Sequence, residues 1–474
     1  MTTVLPDRPA DDRLDPAFLR LALVMMTGVL AVVFDTTIVS VALRSLATDL
    51  HAPIETIQWV TTGYLLALGI AIPVTGWLVD RFGGKHVWLV ALAVFLLGSL
   101  AASVAQSAGD LIAARVLQGV GGGLMLPVMQ TVLMRAAGGR SLGRVTATIG
   151  LPVLLGPVFG PLLGGLIVEH LSWRWIFWVN VPFCVAGLVL AWWLMPADAG
   201  DRGHRLDAVG LALLSPGIAA LLYGLSRVGL VGGMADALVL LPLAAGLVLL
   251  VTFIVHALCV RSPLLDLRLF RVSSFSTSTA LMFLSGFVLY GALLLVPLYF
   301  QDVRGHDPLR TGLLLAPQGI GVLLSRGAAG SLTDRIGPRW VVATGLALAA
   351  AGTLPFALAG AGTSEWVLAA ALVVRGFGLG AVTLPVFATA YEGLDRTQIP
   401  DASIITRASQ QVGGSFGSAV LALILTSQVA GAAGYRTTFW WTLAFTAVAL
   451  VLALRLPTPP AGPLRPADRA GIRT

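Results

Sequence analysis

The chain has 474 residues, of which 57% are hydrophobic and only 11% charged, and its mean hydropathy is +0.89. Soluble domains carry about 25% charged residues, so this composition excludes a soluble globular protein and indicates that lipid surrounds most of the chain. The net charge of +7 does not indicate a nucleic-acid partner, because the basic residues lie in short segments between apolar runs. Cys184 and Cys259 both lie in apolar runs and predict neither a disulfide nor a metal site.

Fourteen apolar runs follow one another along the chain, each close to the length of about 20 residues that a membrane-spanning helix needs. The first is too long for the apolar part of a signal peptide and is interpreted as a retained helix. Together they predict an all-α integral membrane protein. The runs cover residues 19–43, 57–79, 87–106, 110–134, 145–168, 174–195, 208–226, 236–258, 273–299, 311–330, 340–360, 365–388, 403–427 and 437–456.

The basic residues between these runs predict the topology. If the N-terminus is cytoplasmic, the cytoplasmic segments contain 21 Lys and Arg residues and the outer segments contain 6, as the positive-inside rule requires. We therefore expect a multi-pass protein of the inner (plasma) membrane with both ends in the cytoplasm. The predicted parts are a cytoplasmic tail (1–18), a six-helix bundle (19–195), inserted helices 7 and 8 with linkers (196–260), a second six-helix bundle (261–456) and a disordered cytoplasmic tail (457–474).

A ten-residue pattern, G-x-x-x-D-R-x-G-x-[KR], occurs twice, after the second and the tenth runs. The repeat divides the chain into helices 1–6 and 9–14, with an inserted pair between them. Its glycines allow a tight turn, and its carboxylates can cap a helix or pair with a basic residue in one conformation. We interpret the loops as a conformational latch, with positive-inside anchoring as the alternative. The latch residues are Gly76, Asp80, Arg81, Gly83 and Lys85, and Gly330, Asp334, Arg335, Gly337 and Arg339.

The doubled loop pattern resembles the signature of the major facilitator superfamily. Further motifs are similar to its fourteen-helix drug:proton antiporter branch, the EmrB/QacA type, over nearly the whole chain. The resemblance implies the major facilitator fold, with two six-helix bundles plus an inserted helix pair, and proton-coupled export by alternating access. The motifs are residues 34–43 (FDTTIVSVAL), 115–119 (RVLQG), 156–165 (GPVFGPLLGG), 173–182 (WRWIFWVNVP), 263–270 (PLLDLRLF) and 297–301 (PLYFQ).

Two departures from this branch limit the resemblance. The fifth-helix motif usually opens with a further glycine, and that position is Ala147, which is also small. Some members carry extra acids in the tenth and thirteenth helices, but this chain has none there and contains Arg326 in the tenth. The difference argues against dicationic substrates and against a stoichiometry of several protons.

Asp35 is the candidate proton-coupling group, because it alone of the 23 acidic residues lies well inside an apolar run. A carboxylate there costs at least about 2.5 kcal/mol on insertion scales, and intramembrane acids are functional by default. Desolvation and a nearby cation change its proton affinity in opposite directions. Arg115, which must be paired or solvated, is the predicted partner. The alternatives are a static ion pair, and an Arg115 that snorkels to the outer interface.

The fifth run predicts a helix with one smooth face. Gly156, Gly160 and Gly164 recur every four residues, so a neighbouring backbone can approach closely. Pro157 and Pro161 remove helix hydrogen bonds and can bend the helix. With Gly165, these residues form the predicted seam between the two halves, which the resemblance associates with antiport. Ordinary packing of small residues is the alternative.

The substrate cavity is predicted from apolar, aromatic and amide side chains inside the runs. Apolar walls with a few polar groups suit drug-like ligands, and methionine adapts to varied shapes. Packing within the bundle or contact with lipid is the alternative for each residue. The candidates are Trp59, Tyr64, Met125, Met129, Met282, Phe283, Tyr290, Gln318, Gln410 and Gln411.

These features predict a secondary transporter and not an enzyme, since the chain has no P-loop, H-E-x-x-H motif or Cys/His cluster. The expected partners are a small hydrophobic or cationic drug-like substrate, protons and the lipid bilayer, with no nucleic acid. We expect a monomer without a cofactor, driven by the proton gradient. The leading hypothesis is drug:proton antiport. The alternatives are a dedicated exporter of one metabolite or antibiotic and a proton symporter for uptake.

Overall fold

The structure, a computed structural model, describes residues 16–137, 156, 159–196, 206–231, 236–261, 263–360, 362–394, 398–428 and 431–456. All regular secondary structure in these ranges is helical. The helices are α1 (Pro16–Asp49), α2 (Ile54–Ile57), α3 (Trp59–Phe82), α4 (Gly84–Ser103), α5 (Ala108–Ala137), α6 (159–170), α7 (Trp175–Trp178), α8 (Asn180–Leu194), α9 (Ala208–Val231), α10 (Ala237–Cys259), a 3-10 helix (Leu267–Arg271), α11 (Ser273–Asp302), α12 (Pro308–Ile336), α13 (Pro338–Leu358), α14 (Glu365–Ala390), α15 (Ile399–Thr426) and α16 (Ala432–Ala453).

Twelve helices among the described residues are long and apolar enough to cross a membrane, and each corresponds to one of the fourteen predicted runs. The run predicted at 311–330 forms α12, which is less apolar because Gln318 and Arg326 lie in its middle. The run predicted at 145–168 lies partly outside the described residues, and its last part belongs to α6. The tail predicted at 457–474 also lies outside them.

The helices before and after the inserted pair pack in two bundles with related contacts. In the N-terminal bundle α5 lies between α3 and α4, and α8 packs on α1 and α4. In the C-terminal bundle α14 lies between α12 and α13, and α16 packs on α13 and α11. The fourth long helix of each bundle is therefore its central element, and α5 and α14 occupy equivalent places.

The inserted helices α9 and α10 pack against each other, and α9 also contacts α2 and α15. The ring of Tyr223 in α9 lies 6.5 Å from that of Trp59 in α3. Much of α10 exposes apolar side chains such as Leu241, 69% exposed, as expected for a helix in contact with lipid. Asp207 ties the two ends of the pair together, since it binds the ring of His256 at 2.8 Å and accepts from the Leu264 N–H.

The two bundles meet along two lines of contact. One joins α3 to α15, and the other joins α1 to α11 and α12. We call the end of the molecule that carries Arg44 and Asp302 the distal end. The opposite end, which carries the loops after α3 and α12, is the proximal end. These two names give the interface a direction without reference to either side of a membrane.

Candidate coupling site and bundle interface

Asp35 in α1 and Arg115 in α5 form an ion pair in the core of the N-terminal bundle. Arg115 Nη1 lies 2.5 Å from Asp35 Oδ2, and both side chains are 0% exposed. Arg115 Nε also donates to the carbonyl oxygen of Val60 in α3 at 3.1 Å. Arg115 therefore does not snorkel to an interface in this structure. Its charge is enclosed by three helices of one bundle.

Amide side chains complete the coordination of the Asp35 carboxylate. Gln118 Nε2 and Asn180 Nδ2 each donate to Asp35 Oδ1 at 2.9 Å. Gln118 Oε1 in turn accepts from Arg115 Nη1 at 2.6 Å. The Ser99 hydroxyl accepts from Asn180 at 3.0 Å and from Gln118 at 3.3 Å. Side chains from α1, α4, α5 and α8 thus form one connected network, the Asp35 cluster, which satisfies a carboxylate buried away from water.

Aromatic rings cover the remaining faces of the guanidinium group. The centre of the Tyr64 ring lies 3.9 Å from the Arg115 guanidinium carbon, within the range of a cation–π contact. Phe177 lies on another side at 5.8 Å. Tyr64 was predicted to line a substrate cavity, and the structure places it fully buried beneath Arg115. Arg115 Nη2 has no hydrogen-bond partner within the described ranges, so the cluster is not fully satisfied on its cationic side.

The Asp35 carboxyl is the acidic group of the Asp35 cluster, and its partner Arg115 is a guanidinium that stays protonated. With Asp35 ionised, the pair is neutral overall. With Asp35 protonated, a buried positive charge lacks its counterion, and breaking a buried pair costs about 3 to 5 kcal/mol. Protonation of Asp35 would therefore remove the ionic partner of Arg115 from the packed N-terminal core.

A second buried arginine occupies the centre of the C-terminal bundle. Arg375 in α14 is 1% exposed. Its Nη1 donates to Gln318 Oε1 at 2.7 Å, its Nη2 to the Val288 carbonyl at 3.1 Å and its Nε to the Thr353 hydroxyl at 3.3 Å. No carboxylate of the described residues lies within 4.0 Å of it. Every acceptor around Arg375 is neutral, in contrast to the Asp35 cluster.

Asn180, Ser99 and Arg375 were not predicted as site residues. Asn180 lies in the motif at 173–182, but a single amide in an apolar stretch does not identify its partner. Arg375 did have a clear signal, since it lies in the middle of the run predicted at 365–388. A cation inside an apolar run indicates a functional residue as an acid does, and this rule identifies Arg375.

The glycines predicted as a seam pack mainly against α1 of their own bundle. A Cβ atom at Gly160 would overlap the Thr37 side chain, and one at Gly164 would lie 2.7 Å from the Ile38 carbonyl oxygen. Gly156 meets α1 one turn earlier, and its carbonyl accepts from the Thr37 hydroxyl at 3.2 Å. These contacts hold α1, and with it Asp35, at a fixed distance from α6.

The seam crosses to the other bundle only at its distal end, within the described residues. A Cβ at Gly165 would lie 2.9 Å from Leu309 at the start of α12, and Gly312 of α12 packs on the Pro161 carbonyl. Pro157 lies outside the described residues. The predicted role between the halves therefore applies to Pro161 and Gly165, and the other glycines act inside the N-terminal bundle.

The two loops of the predicted latch have the same turn geometry. Gly83 and Gly337 end α3 and α12 with φ values of 82° and 85°, a conformation that favours glycine. Gly76 faces Ile404 of α15, across the interface between the bundles. Gly330 and Asp334 lie in α12, and the side chain of Asp334 lies outside what the structure describes.

The basic residues of the latch motif take different places. Lys85 donates to the carbonyl oxygens of Trp192 at 2.8 Å and Met195 at 2.7 Å, and so caps the end of α8 within its own bundle. Asp80 and Arg81 lie in the last turn of α3. In the second copy Arg335 is exposed, and Arg339 lies beside the Trp340 ring. These two contacts of Lys85 lie within the N-terminal bundle.

The residues predicted to line a cavity are divided among several environments. Met125 and Met129 are fully buried in the N-terminal core and Met282 in the C-terminal core, so none of them borders an open surface in this conformation. Phe283 packs on Phe416, and Trp59 packs on the inserted helix α9. Tyr290 of α11 packs against the N-terminal core, and Gln411 of α15 packs on Gly69 of α3, so both lie at the interface between the bundles. Gln410 packs on α11 and Gln318 lies beside α14, both within the C-terminal bundle.

Polar contacts between the bundles are concentrated at and near the distal end. Arg44 of α1 forms an ion pair with Asp302 of α11, and within the C-terminal bundle the Tyr435 hydroxyl supports Asp302 by donating to it at 2.5 Å. Gln301 Nε2 donates to the Val41 carbonyl at 2.9 Å. These contacts, the distal closure, hold α1 against α11. A groove of about 450 Å³ lies beside them, lined by Ser45, Thr48, Asp49, Gly305, His306, Asp307 and Pro308 as well as Arg44 and Gln301.

Comparisons with known proteins give matches over most of the chain. The sequence profile of the Major Facilitator Superfamily matches residues 25–418. The chain is 40% identical over 424 residues to the multidrug resistance protein B homolog of Mycobacterium tuberculosis, which is 89% of this chain and 78% of that protein. It is 32% identical to the lincomycin resistance protein LmrB of Bacillus subtilis, over 85% of this chain and 84% of the relative. The fold is similar to that of a solved D-xylose-proton symporter, with a TM-score of 0.68, 16% identity and coverage of 93% and 98%.

Proposed function

The chain belongs to the Major Facilitator Superfamily, and from this membership we propose that it exports small drug-like molecules in exchange for protons. It is a multi-pass inner-membrane transporter and not an enzyme. Two relatives are named for resistance to antibiotics, the multidrug resistance protein B homolog and a lincomycin resistance protein. Their names support export, because resistance through a transporter requires that the drug leave the cell.

The observation that carries proton coupling is the burial of Asp35. Its carboxylate is 0% exposed and bound by one cation and two amides. In this proposal Asp35 accepts a proton from the outer side, the pair with Arg115 loosens, and the N-terminal bundle repacks. Release of the proton to the cytoplasm restores the pair. Each inward proton yields about 2.3 kcal/mol per 100 mV of membrane potential, and this energy is available to drive export.

The topology of the proposal has fourteen membrane helices with both ends in the cytoplasm. It is supported by the positive-inside distribution of Lys and Arg and by the helices α6 and α12, which add to the twelve apolar spans. The distal end then faces outward, and the distal closure shuts the outer side of the pathway. The transporter works as a monomer in the bilayer and requires no cofactor.

The conformational parts of the proposal are the seam and the latch. Pro161 and Gly165 let α6 approach α12 closely at the outer side, where the halves must separate for release. The paired loops at Asp80 and Asp334 are proposed to hold the cytoplasmic side in one of the two conformations. Their support is the recurrence of the motif and the matching turns at Gly83 and Gly337.

A second candidate is a dedicated exporter of one antibiotic or metabolite. The name of the lincomycin resistance protein, which refers to a single antibiotic, favours it. A dedicated exporter would use the same Asp35 cluster but a narrower cavity. Uptake by proton symport is the third possibility, since a buried acid serves either direction of coupling.

The test is substrate-induced proton movement in everted vesicles with an acidic interior. A panel of cationic, neutral and acidic drugs is added to vesicles containing the wild type, Asp35→Asn, or Glu55→Gln in the short helix α2 as a matched control. We expect at least one drug to release protons from the wild type and from Glu55→Gln, and none from Asp35→Asn. Proton release by Asp35→Asn contradicts coupling through Asp35. If no drug of the panel causes proton release from the inserted wild type, this result contradicts the multidrug proposal and favours a dedicated exporter.

A further inference from the structure

The centre of the C-terminal bundle holds a charge that proton coupling does not use. We propose that Arg375 and Gln318 form a recognition site for a hydrogen-bond acceptor of the substrate, and that the preferred substrates are organic anions such as aromatic carboxylates. This inference rests on the proposed export of small molecules and names their chemical class. It does not depend on the direction of proton coupling.

The charge of Arg375 is not compensated locally. Three charged side chains in the described residues are less than 2% exposed, namely Asp35, Arg115 and Arg375. Asp35 and Arg115 neutralise each other, so Arg375 leaves a net positive charge in the membrane interior. Its three hydrogen bonds go to neutral acceptors, which stabilise a cation without cancelling its field. In a medium of low dielectric constant this field extends well beyond contact distance.

Gln318 binds Arg375 and is the more accessible residue of the two. Its Oε1 accepts from Arg375 at 2.7 Å, which fixes the amide orientation, because the reverse orientation would place two donors against each other. The Nε2 of Gln318 is therefore held as a donor. It makes no hydrogen bond within the part of the chain that the structure describes. Gln318 is 7% exposed, compared with 1% for Arg375.

Gln318 lies on the side of α12 that faces away from lipid. Leu313, Ile320 and Leu324 are 53%, 46% and 60% exposed and mark the lipid side of α12. With 3.6 residues per turn, Gln318 lies on the opposite side of the helix, where Gly321 and Ser325 face α14. The accessible part of Gln318 thus faces away from lipid, and in this proposal it borders the path of the substrate.

A donor fixed by an arginine selects for acceptors. A carboxylate gains a charge-assisted hydrogen bond and the attraction of the nearby cation, while an ammonium group meets a donor and a like charge. Export of an anion is also favoured by the membrane potential, which is negative inside. Anion export and proton entry then both move charge in the favourable direction.

The test measures binding of three probes of one shape by equilibrium dialysis with the full-length protein in a neutral detergent. The probes are naphthoate, naphthamide and naphthylmethylammonium. The decisive variants are Gln318→Glu, which places a carboxylate against Arg375, and Gln318→Leu, which removes the donor. Gln428→Glu, the same change at an exposed position after α15, is the control. Because both Gln318 variants keep Arg375, they avoid leaving a hole at the most buried position.

We expect the wild type and Gln428→Glu to bind naphthoate about tenfold more tightly than naphthylmethylammonium, a difference of about 1.4 kcal/mol. Gln318→Leu should lose this preference, and Gln318→Glu should reverse it. Equal binding of the two ions by the wild type, no binding of naphthoate, or a preference unchanged in Gln318→Glu overturns the proposal. Because the assay needs no gradient, it can succeed even if drug-induced proton release fails, and the reverse also holds.

Discussion

The two bundles each carry a buried arginine on the equivalent helix but surround it differently. Among the described residues, Arg115 in α5 has the carboxylate of Asp35 at 2.5 Å, whereas Arg375 in α14 has only amide, hydroxyl and carbonyl oxygens. The N-terminal site therefore pairs a cation with an acid, whereas the C-terminal site holds a cation among neutral groups. Two copies of a repeat can therefore share one architecture and differ in function. Here proton coupling is proposed for one copy and substrate recognition for the other.

The largest expected effect is the loss of stability when each arginine is replaced by methionine. Arg115→Met leaves Asp35 buried without its counterion and should destabilise the protein by about 3 to 5 kcal/mol. Arg375→Met leaves only neutral acceptors and should cost less, about 1 to 3 kcal/mol for the unsatisfied groups. The loss in Arg115→Met should also shrink at acidic pH, where Asp35 takes a proton, because a neutral carboxyl is cheaper to bury.

Thermal unfolding in detergent, measured for both variants from acidic to alkaline pH, checks this expectation. The sign follows from the missing counterion: stability of Arg115→Met should fall as the pH rises, relative to the wild type. Arg375→Met should show a pH-independent difference. Equal losses with no dependence on pH in either variant would mean that the two sites do not differ as described.

The second prediction concerns the packing of α1, which positions Asp35 in the N-terminal site. Gly160→Leu should abolish transport while the protein still inserts, because a side chain at this position overlaps Thr37 and displaces α1, which carries Asp35. Gly360→Leu is the matched control, since a Cβ at Gly360 meets nothing within 4 Å. Vesicle transport normalised to the amount of inserted protein is the readout. Near-normal transport in Gly160→Leu would show that the position of α1 is not critical.

The smallest effect is expected at the distal closure. The side chains of Arg44 and Asp302 are 54% and 30% exposed, and such a pair contributes about 0 to 1 kcal/mol. Arg44→Ala should leave the melting temperature almost unchanged but raise the reactivity of a cysteine introduced as Val41→Cys towards a thiol reagent that does not cross membranes. Arg436→Ala, exposed after the start of α16, is the control. Unchanged labelling in Arg44→Ala would show that this pair does not hold the closure.

Helix positions followed from the sequence because their cause is local. The bilayer demands a length of apolar residues, and twelve of the fourteen predicted runs coincide with apolar helices in the described residues. The matching φ values at Gly83 and Gly337 were likewise implied by a repeated motif. Asp35 and Arg115 could be singled out because a charge in an apolar run is rare and needs a partner.

Other features depended on which helix faces meet. Asn180 reaches Asp35 only because α8 packs beside α1, and Lys85 caps α8 because α4 begins next to its end. Met125, Met129 and Tyr64 have the composition of a cavity wall, yet the packing of α3 against α4 and α5 buries them completely. Similar side chains line cavities and fill cores, so residue type alone does not distinguish the two.

The sequence by itself determined that this protein is embedded in a membrane, that its two halves repeat, and that one acid lies inside the apolar region. These conclusions depend on composition, spacing and the energy of a charge in lipid, all of which act residue by residue. Only the tertiary structure decided which amides bind Asp35 and that Arg375 has no carboxylate beside it. Those facts depend on contacts between helices far apart in sequence, where a rotation of one helix exchanges a charged neighbour for a neutral one.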